Sequence, residues 1–541
     1  MSHARVPLIL AAVAALAATA TAPALAEVDP GKAQAPATTG NTLTELDYQT
    51  LKGYADDTWL STVAMTDETT GLPSDNVGAD LSATSRSAYT SPTNIGGYMW
   101  STIVARDLRI IDTAEARTRL EQTIATLEGM ERHEESGMFY NWYDPASAAK
   151  LTAWPVDGST VYPFLSSVDN GWLAAALRVA AAAEPDVQEA ADAIRTQMNF
   201  GFFYDEDALG EDAPTGLIRG GFWDELPPDC VVEDNYAGGE TLVYYTCHHY
   251  GSFNTEPRIA SYLGIVAGQI PEDHYFGAWR TFPDTCDWSW QEQKPVGEWR
   301  EYMGVQVFEG AYQYRDMQLV PTWGGSMFEA LMVPLFVPEE RWGALSWGVN
   351  HPLTVQAHIE HGMEEADYGY WGFSPSNNPA AGYPSQTSEP VSGYREYGVD
   401  AIGLEPNGYT SDQERTTVDY GFEGCREGVP EPTSYGDGVV TPHASFLALR
   451  YAPKEALDNL ANIKADFDAY GPGGFYDAVA VGTGQVSAKH LSLDQSMIMA
   501  AIGNELDHNN IRYYFRQGGV RAALKPLMEI ETFNAGPILT N

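Results

Sequence analysis

Basic residues are scarce in this sequence of 541 residues. Lysine and arginine together number 30, against 74 aspartates and glutamates, which gives a formal net charge of −44. Nucleic acids and anionic lipid surfaces are bound chiefly through Lys and Arg side chains, so the composition argues against both as partners. Neutral molecules are the most natural ligands of such a chain, although its charge identifies no particular substrate.

Long apolar runs are absent after the first 26 residues. The chain begins MSHARVPLILAAVAALAATATAPALA, in which Arg5 precedes an Ala/Leu-rich stretch and Ala24 to Ala26 form an Ala-x-Ala cleavage site. This pattern predicts a cleavable signal peptide over 1–26, and the following residues, 27–41, have the composition of a disordered leader. No later run approaches the ~20 residues needed to cross a bilayer. We therefore expect a periplasmic or secreted protein without membrane insertion.

Cysteine is rare, and its four copies form an even set: Cys230, Cys247, Cys286 and Cys425. In an exported chain such a set favours one or two disulfides. Pairing within Cys230/Cys247 and within Cys286/Cys425 is one of three possible connectivities. His248 and His249 beside Cys247 raise the alternative of a zinc site, but the standard ligand spacings are missing. We expect no metal and no cofactor.

Three familiar catalytic or nucleotide-binding motifs are also missing. The segment TWGGSMFE around Ser326 resembles Gly-x-Ser-x-Gly without matching it and lacks the strand, turn and helix context of a hydrolase nucleophile. GDGVV over 436–440 is too short for a phosphate-binding loop and has no Lys. No dinucleotide-binding fingerprint occurs either. These absences argue against serine hydrolase, nucleotide and dinucleotide chemistry.

Aromatic residues, in contrast, are abundant. The chain has 30 Tyr, 19 Phe and 14 Trp, and 44% of its residues are hydrophobic. This content supports a large core and leaves rings to line an open cleft. No long flexible linker interrupts the region after the leader, so we expect one domain over 42–541.

Segments with helical periodicity recur along the whole domain, whereas strand signals are few and short. The fold is therefore predicted to be mainly α, and helices in this number are often paired into a closed α/α toroid. The predicted helices are Leu43–Thr66, Thr93–Ile111, Thr113–Arg132, Asp169–Ala183, Asp186–Phe200, Glu256–Gln269, Ser326–Val337, Leu353–His361, Pro442–Tyr451, Lys454–Ala469, Leu491–Glu505 and Asn510–Phe515.

The loops between these helices combine aromatic rings with carboxylates, as in GMFYNWYDPAS and YGPGGFYDAVAVGTG. Such loops are candidates for the walls of a functional cleft, although many of the rings would serve only to fix the loops to the core. Glycosidic bonds are broken by two Asp/Glu side chains, one protonated and one ionised. The candidate acids outside plain solvated helix faces are Asp144, Asp169, Asp205, Glu256, Glu329, Asp437, Asp477 and Asp494.

Glu256 stands in the first turn of an otherwise apolar helix, in the segment SFNTEPRIASYLGI. Asn254 or Thr255 can cap this helix and Pro257 suits its first turn. An acidic residue there complements the helix dipole, so the local pattern leaves open a purely structural role.

The combination of several motifs resembles the glucoamylase-like family of glycoside hydrolases. The motifs are TSPTNIGGYMWSTIVARDLRII, GMFYNWYD, VDNGWLAAALR, PTWGGSMFEALMVPLFVPEERW, GDGVVTPHASFLALRYAPKEALDNL, YGPGGFYDAV and HLSLDQSMIMAAIGNEL. They extend in order from about Leu43 to the C-terminus. This family is related to bacterial endo-β-1,2-glucanases and to the transglycosylating domain of cyclic β-1,2-glucan synthases. The resemblance implies an (α/α)6 barrel that acts on a β-linked glucan.

The resemblance also implies roles for individual residues. A Glu that opens a helix in a Phe-Asn-Glu-like stretch is the general acid of the related glucanases, and Glu256 is its counterpart, although Thr255 and Pro257 depart from that pattern. Asp477 is the expected base, with Asp437 as the alternate; the alternative for Asp477 is a turn aspartate. The expected substrate-binding residues are Asp169, Trp142, Tyr143, Trp323, Tyr409, Tyr476 and Asp494. A helix N-cap is the alternative for Asp169, and helix stabilisation is the alternative for Asp494 and Gln495.

The sequence thus predicts an exported, monomeric glycoside hydrolase for β-glucan, most plausibly β-1,2-linked, that inverts the anomeric centre because the related glucanases do. A glycosidase or transglycosylase for another linkage is the first alternative. A non-catalytic glycan-binding or envelope-assembly protein on the same barrel is the second. An oligo- or polysaccharide is the expected partner in each case.

Overall fold

The computed structural model describes residues 43–239, 241–286, 293–322, 325–380, 424–425, 435 and 438–538. The predicted signal peptide and leader lie outside these ranges. Helices form most of the described core. Their bounds are α1 Glu45–Met65, α2 Pro92–Asp107, α3 Thr113–Gly129, α4 Ser167–Ala183, α5 Gln188–Arg195, α6 Arg258–Val266, α7 Met327–Leu331, α8 Glu339–Trp342, α9 Trp347–Glu360, α10 Pro442–Ala448, α11 Pro453–Asp466, α12 Ser492–Leu506, α13 Asn510–Phe515 and α14 Val520–Ile530.

Short strands connect these helices and pair into small antiparallel sheets. The strands are β1 Asn76–Gly78, β2 Phe164–Ser166, β3 Tyr204–Asp205, β4 Leu217–Ile218, β5 Gly221–Trp223, β6 Val231–Asn235, β7 Leu242–Thr246, β8 Val296–Tyr302, β9 Val305–Tyr314, β10 Met317–Leu319, β11 Val439–Val440, β12 Tyr470–Gly471, β13 Gly474–Phe475, β14 Ala478–Ala480, β15 Gln485–Ser487, β16 Lys489–Leu491 and β17 Gly536–Pro537. In spatial order the larger sheets are β17-β10-β9-β8, β2-β5-β7-β6 and β11-β14-β15, and the two-stranded ones are β1-β16, β3-β4 and β12-β13.

An inner group of helices is buried on nearly all sides. Every residue of α2 from Pro92 to Ala105 is buried, and α4 and α12 are almost as fully enclosed. Small residues permit this close packing. A Cβ atom on Gly97 of α2 would lie 2.8 Å from the Cβ of Ser496 on α12, and one on Gly96 would lie 3.1 Å from the Cβ of Ala176 on α4.

The remaining helices cover this inner group with one apolar face each. Helix α3, for example, buries Leu120, Ile124 and Leu127 and exposes its charged face. Along the chain, α1 packs on α2 and α12, α5 on α4, α11 on α10 and α14 on α6. The contacts α7–α10, α10–α12, α12–α2, α2–α4 and α4–α6 then place the inner helices side by side in one series.

The twelve predicted helices all have counterparts, but the extent of sheet was underestimated. The hairpin β8–β9 pairs seven residues, from Val296↔Ala311 to Tyr302↔Val305, and Met303 and Gly304 form its two-residue turn with φ of 51° and 86°. Strand β8 is exposed on both faces over most of its length, so it lacks the alternation by which a half-buried strand is found in a sequence.

Several helices also differ from the prediction. Helix α7 ends at Leu331 rather than at Val337, α5 covers only Gln188–Arg195 of the predicted Asp186–Phe200, and the four-residue α8 was not predicted. Helix α9 begins at Trp347, six residues before the predicted start, and contains Pro352. Helix α14 was not predicted and contains Pro526. A proline inside a helix removes a backbone donor and obscures the sequence signal, which explains the differences at α9 and α14.

Both disulfides form, with the pairing Cys230–Cys247 and Cys286–Cys425. The first joins the ends of β6 and β7 across a sequence separation of 17 residues, and the second closes a loop with a separation of 139. Two disulfides fit an extracellular or periplasmic protein. Among the described residues, no helix combines the length and the apolarity needed to cross a membrane.

Candidate active site

A cavity of about 920 Å³ opens where several inner helices begin. Its wall is formed by residues at or just before the starts of α2, α4, α6 and α12, together with β15, β16 and residues 377–379. Helix N-termini carry free backbone N–H groups and a partial positive charge. The charged side chains on the wall are Asp75, Asp169, Glu256 and Lys489. Three carboxylates thus face one cavity.

Glu256 reaches this cavity from the turn that precedes α6. The helix begins at Arg258 rather than at the predicted Glu256, and no side chain caps it. Asn254 instead donates its side-chain amide to the carbonyl of Val320 (3.1 Å), and the Thr255 hydroxyl donates to Glu329. The predicted capping by Asn254 or Thr255 is therefore wrong, because both side chains bind the neighbouring segment.

The position of the Glu256 carboxylate follows from the close approach of α4 and α6. A Cβ on Gly171 of α4 would lie 3.1 Å from Ile259 of α6, so glycine is needed there. One turn inside α4, the indole N–H of Trp172 donates to Oε2 of Glu256 at 2.7 Å. The backbone N–H of Glu256 donates to Oε2 of Glu329 at 2.8 Å.

This environment favours the protonated form of Glu256. Burial raises the pKa of its carboxyl well above the ordinary value, and the neighbouring Glu329 carboxylate raises it further, while the hydrogen bond from Trp172 opposes the shift. The charge of Arg258, two residues away in sequence, also opposes the shift, but its guanidinium is hydrogen-bonded to other groups. Its guanidinium donates to Glu339 at 2.8 and 3.0 Å and to the carbonyls of Thr255 and Ala330, both at 2.7 Å.

Asp169 lies near Glu256 in the first turn of α4. Its backbone N–H donates to the Ser166 hydroxyl oxygen (3.1 Å), so Ser166, and not Asp169, is the N-cap of α4. The Asp169 carboxylate receives the Thr93 hydroxyl at 2.7 Å and the Asn141 amide at 2.9 Å. It thereby joins α2, α4 and the 141–143 segment while it faces the cavity.

Asp477 lies one layer behind the cavity wall, with 1% of its surface exposed. Its Oδ2 accepts the backbone N–H of Asn377 (2.9 Å) and the hydroxyl of Ser487 (3.0 Å), and both of these residues line the cavity. Burial and the nearby Asp494 raise the pKa of Asp477. Asp494 is itself 4% exposed, and its Oδ2 lies 3.3 Å from Nδ1 of His443.

Asp75 was missed by the sequence analysis. It precedes β1, whose pairing with β16 (Asn76↔Leu491) brings it to the start of α12. Oδ1 accepts the side-chain amide of Asn94 and Oδ2 that of Asn76, both at 3.0 Å. The signal that was available is the acid–amide pair in LPSDNV at the end of a polar turn, directly before a strand.

Three aromatic rings form one side of the cavity. Trp142, a predicted stacking residue, lines it together with Tyr89 and Trp154. The ring centroids of Tyr89 and Trp154 are 4.7 Å apart, those of Tyr89 and Trp142 5.5 Å, and those of Trp142 and Trp154 6.1 Å. Each ring keeps partial exposure, so the trio offers faces on which a sugar ring can stack.

The other predicted stacking residues lie elsewhere. Tyr143 is fully buried, and its hydroxyl donates to the carbonyl of Glu131 (2.6 Å) and accepts the N–H of Tyr140 (2.8 Å), so its ring cannot meet a ligand in the cavity. Tyr476 packs beside His490, with ring centroids 5.0 Å apart, away from the wall. Trp323, Tyr409 and Asp437 lie outside the described residues.

Two of the remaining candidate acids have structural roles. Asp144 accepts the N–H groups of Ala146 and Ser147 in a turn. Asp205 forms an ion pair with Arg219 (2.5 Å) and a hydrogen bond with Nε2 of His249 (2.7 Å). In the described part of the chain no group of three or more His, Cys, Asp or Glu side chains is arranged to hold a metal ion.

Comparison with known proteins confirms the resemblance stated above. The Glycoamylase family model, described as "Putative glucoamylase", matches residues 296–517, and a model described as a protein of unknown function (DUF3131) matches residues 53–211. Cyclic β-(1,2)-glucan synthase NdvB of Rhizobium meliloti (strain 1021) is 27% identical over 288 residues. That match covers 52% of this chain and 8% of the synthase.

Solved structures share the fold over most of the chain. An endo-β-1,2-glucanase from Chitinophaga pinensis, in complex with sophorotriose and glucose, superposes with a TM-score of 0.56 at 14% identity and covers 90% of this chain and 98% of its own. An endo-β-1,2-glucanase from Talaromyces funiculosus, in complex with sophorose, gives a TM-score of 0.59 at 12% identity, with 90% of each chain covered. The helical architecture is therefore shared with these enzymes.

Proposed function

We propose that this protein is a glycoside hydrolase that cleaves β-glucan, with β-1,2-linked glucan as the substrate, and that Glu256 is its general acid. The observation that carries the proposal is the state of Glu256, a buried carboxyl beside a second carboxylate that faces a cavity lined with aromatic rings. A carboxyl kept neutral in this way can protonate a leaving glycosidic oxygen near neutral pH. The glucan specificity of the structural neighbours supports the substrate class.

The proposed chemistry inverts the anomeric centre. Glu256 protonates the oxygen of the leaving sugar while an ionised carboxylate on the other side of the ring activates a water molecule. Asp477 supports the activation of this water from behind the cavity wall, through its hydrogen bonds with Ser487 and with the backbone of Asn377. Asp169 accepts hydrogen bonds from a sugar hydroxyl, and the Trp142 face stacks on a sugar ring. Asp494, at the start of α12, supports the floor of the cavity.

We also propose that the helices form a closed (α/α)6 toroid and that the protein is exported. The series of six inner helices, α2, α4, α6, α7, α10 and α12, and the helices that pack on them support the toroid, and we assign residues 42–541 to this single domain. The predicted signal peptide and the two disulfides support export to the periplasm or the medium. A monomer is expected.

The direct test is incubation of the purified protein with linear β-1,2-glucan, analysed by thin-layer chromatography beside β-1,3-, β-1,4- and α-glucans. Shortening of the β-1,2 polymer alone supports the proposal, and cleavage of another glucan would correct the linkage. Glu256→Gln should abolish cleavage, whereas the matched variant Glu272→Gln, at an exposed position just after α6, should retain it.

Two further readouts decide between mechanisms. Proton NMR of fresh products should show the α-anomer first, because inversion at a β-linkage gives α; an initial β-anomer would indicate retention. Products longer than the substrate, or cyclic products, would identify a transglycosylase, an outcome that the similarity to the cyclic glucan synthase makes worth measuring. Binding of glucan without any cleavage by the wild-type protein would refute the hydrolase proposal.

A further inference from the structure

We propose that Glu329 is a positioning residue for the general acid: its carboxylate holds the turn that carries Glu256 and places a negative charge beside the Glu256 carboxyl. The assignment deepens the proposed function and rests on it. Glu329 belongs to α7 and Glu256 to the turn before α6, so the two residues are 73 positions apart in the chain. The fold brings them together, and neither segment alone indicates the contact.

One oxygen of Glu329 binds two successive residues of this turn. Its Oε2 accepts the backbone N–H of Glu256 at 2.8 Å and the hydroxyl of Thr255. The backbone is thereby fixed at the acid itself and at the residue before it. A group that delivers a proton must be held within a fraction of an ångström of its working position, and these two bonds supply such a constraint.

The first turn of α7, which carries Glu329, is itself fixed to a neighbouring segment. The backbone N–H of Met327 donates to the carbonyl of Phe373, and that of Phe328 donates to the hydroxyl of Ser374, both at 3.0 Å. The Glu329 carboxylate is therefore presented to the turn from a backbone that is held on its other side.

Arg258 joins the same two segments through their backbones. Its guanidinium donates to the carbonyl of Thr255 at 2.7 Å and to the carbonyl of Glu329 at 3.0 Å, while it is paired with Glu339. The segments would thus remain connected without the Glu329 carboxylate. The particular contribution of that carboxylate is its contact with the N–H of Glu256.

The hydrogen bonds alone do not require a charged group at position 329. The amide oxygen of a glutamine could accept both the N–H of Glu256 and the hydroxyl of Thr255. A carboxylate beside a second, buried carboxyl raises the cost of ionising the latter, and such arrangements are typical of functional sites. The charge at position 329 therefore points to a chemical role, which is to keep the proton on Glu256.

Among the described residues, the charged groups that act on Glu256 come from several elements. Burial raises the pKa of Glu256 most, and among the neighbouring charges that of Glu329 has the largest effect. Asp169 at the start of α4 adds to the rise, and Arg258 opposes it. Tyr250 lies near the same carboxylates, but burial and their charges raise its own pKa, so it remains an uncharged phenol.

Glu329 exchanges no proton in the reaction. Glu256 gives its proton to the leaving oxygen, which keeps the electron pair of the broken bond. Two ionised carboxyls then lie side by side, and their repulsion favours the return of a proton from water to Glu256. Glu329 thus acts on the reaction only through Glu256.

The first experiment measures kcat/KM on linear β-1,2-glucan against pH, for the wild type, Glu329→Gln and Glu272→Gln. Glutamine keeps an acceptor for the Glu256 N–H and removes the charge, so the alkaline limb should move to lower pH by at least about one unit, with kcat on the acidic side little changed. Glu272→Gln removes one charge at an exposed position and should leave the limb in place.

A substrate that needs no acid separates positioning of the acid from general support of the fold. Glu329→Ala removes the acceptor as well as the charge and should lower kcat on the glucan by about 100-fold, as expected when a catalytic group moves by ~1 Å. A 2,4-dinitrophenyl glycoside of a β-1,2-linked gluco-oligosaccharide loses its leaving group without protonation. On this substrate Glu329→Ala should keep at least roughly a third of the wild-type kcat, because acid catalysis is not needed.

Two results would overturn the assignment. The first is an alkaline limb of Glu329→Gln that coincides with that of the wild type or lies at higher pH. The second is an equal loss of kcat on both substrates by Glu329→Ala that is folded by circular dichroism, since this indicates support of the fold alone. If Glu329→Ala does not fold, the pH profile of Glu329→Gln decides.

The two proposals fail in distinguishable ways. If the wild-type protein and Glu272→Gln cleave no β-glucan, the proposed hydrolase function fails, and the role of Glu329 with it. If both cleave the glucan and Glu329→Gln shows the same pH profile as they do, only the Glu329 assignment fails.

Discussion

A buried carboxylate far from the cavity allows a test of the electrostatic reasoning without loss of the proposed catalytic groups. Glu309 on β9 is fully buried and shares its surroundings with Glu531, which holds Arg280 in a buried ion pair and accepts the Tyr275 hydroxyl at 2.8 Å. The guanidinium of Arg280 thus interacts with two carboxyl groups, those of Glu531 and Glu309. Burial, together with the Glu531 charge, raises the pKa of Glu309 from 4.5 to about 8.

The sign and size of the resulting pH dependence follow from linkage. The folded protein keeps the Glu309 proton at pH values where the unfolded chain has released it, so stability is complete below pH 4.5 and falls as the pH rises to about 8. One pKa unit corresponds to about 1.4 kcal/mol. The group therefore lowers the free energy of unfolding by about 3 kcal/mol at pH 7, relative to acid conditions.

Glu309→Gln should remove this loss, because the amide replaces the neutral acid and cannot ionise. At pH 5 the variant should match the wild type within ~1 kcal/mol, and at pH 7 it should be more stable by about 3 kcal/mol. For a folded part of about 500 residues this corresponds to a rise of about 3 °C in Tm. Urea unfolding followed by tryptophan fluorescence at both pH values measures the difference, and glucan cleavage should be unchanged.

Glu531→Gln is the matched contrast for Glu309→Gln. Loss of this carboxylate leaves Arg280 without its ion-pair partner, so this variant should be destabilised by about 3 kcal/mol or more. The reasoning is refuted if Glu309→Gln is no more stable than the wild type at pH 7, or if its gain is the same at pH 5 and pH 7. The first result would mean that Glu309 is ionised at little cost, and the second that the gain does not come from titration.

Three further predictions concern the cavity and the disulfides. Trp154→Ala should raise KM for the glucan about three- to tenfold with little change in kcat, because about 0.5–1.5 kcal/mol of ring stacking on the sugar is lost. The control Tyr162→Ala, at an exposed position in the same loop, should leave KM unchanged. An unchanged KM for Trp154→Ala would show that Trp154 does not bind the glucan. Trp172→Phe removes the donor that lowers the pKa of Glu256, so the alkaline limb of the pH–rate profile should move to higher pH, and a shift to lower pH would contradict Glu256 as the acid. Replacing Cys230 and Cys247 together by Ser should lower the free energy of unfolding by about 3 kcal/mol in the chain-entropy account of a loop of this size, measured by urea unfolding under non-reducing conditions, with activity retained.

Helical periodicity predicted much of the fold because three of the inner helices, α2, α4 and α12, are long and apolar. Helices α2, α4 and α12 are recognisable from their own residues, and their small residues mark the close packing that the structure has. The hairpin β8–β9 was not predictable in the same way. Its pairing is set by contacts between segments and by a turn at Met303 and Gly304, and its outer strand has no apolar face.

The candidate site was predicted only in part, because burial is decided by tertiary packing. Glu256, Asp169 and Trp142 meet at one cavity as expected, since each belongs to a motif at the start of a helix or beside one. Tyr143 was predicted to bind substrate together with the adjacent Trp142. Successive residues of an extended segment point to opposite sides, however, and the Tyr143 ring points into the core. Asp75 stands in a short polar turn, where the acid–amide pair before a strand was the only local signal and did not show that the turn lines a cavity.

The distribution of positive charge explains why the cavity can keep a proton on a carboxyl. Among the described residues, three buried arginines are bound to carboxylates outside the cavity: Arg258 to Glu339, Arg280 to Glu531 and Arg512 to Glu340. Despite burial, Arg258 and His351 lower the pKa of Glu339 to about 2, so this carboxylate holds Arg258 in place. The charge of Glu329 raises the pKa of Glu256, and this repulsion supports acid catalysis. A cavity with this balance of charge suits an uncharged sugar chain, which adds no negative charge to the carboxylates already there.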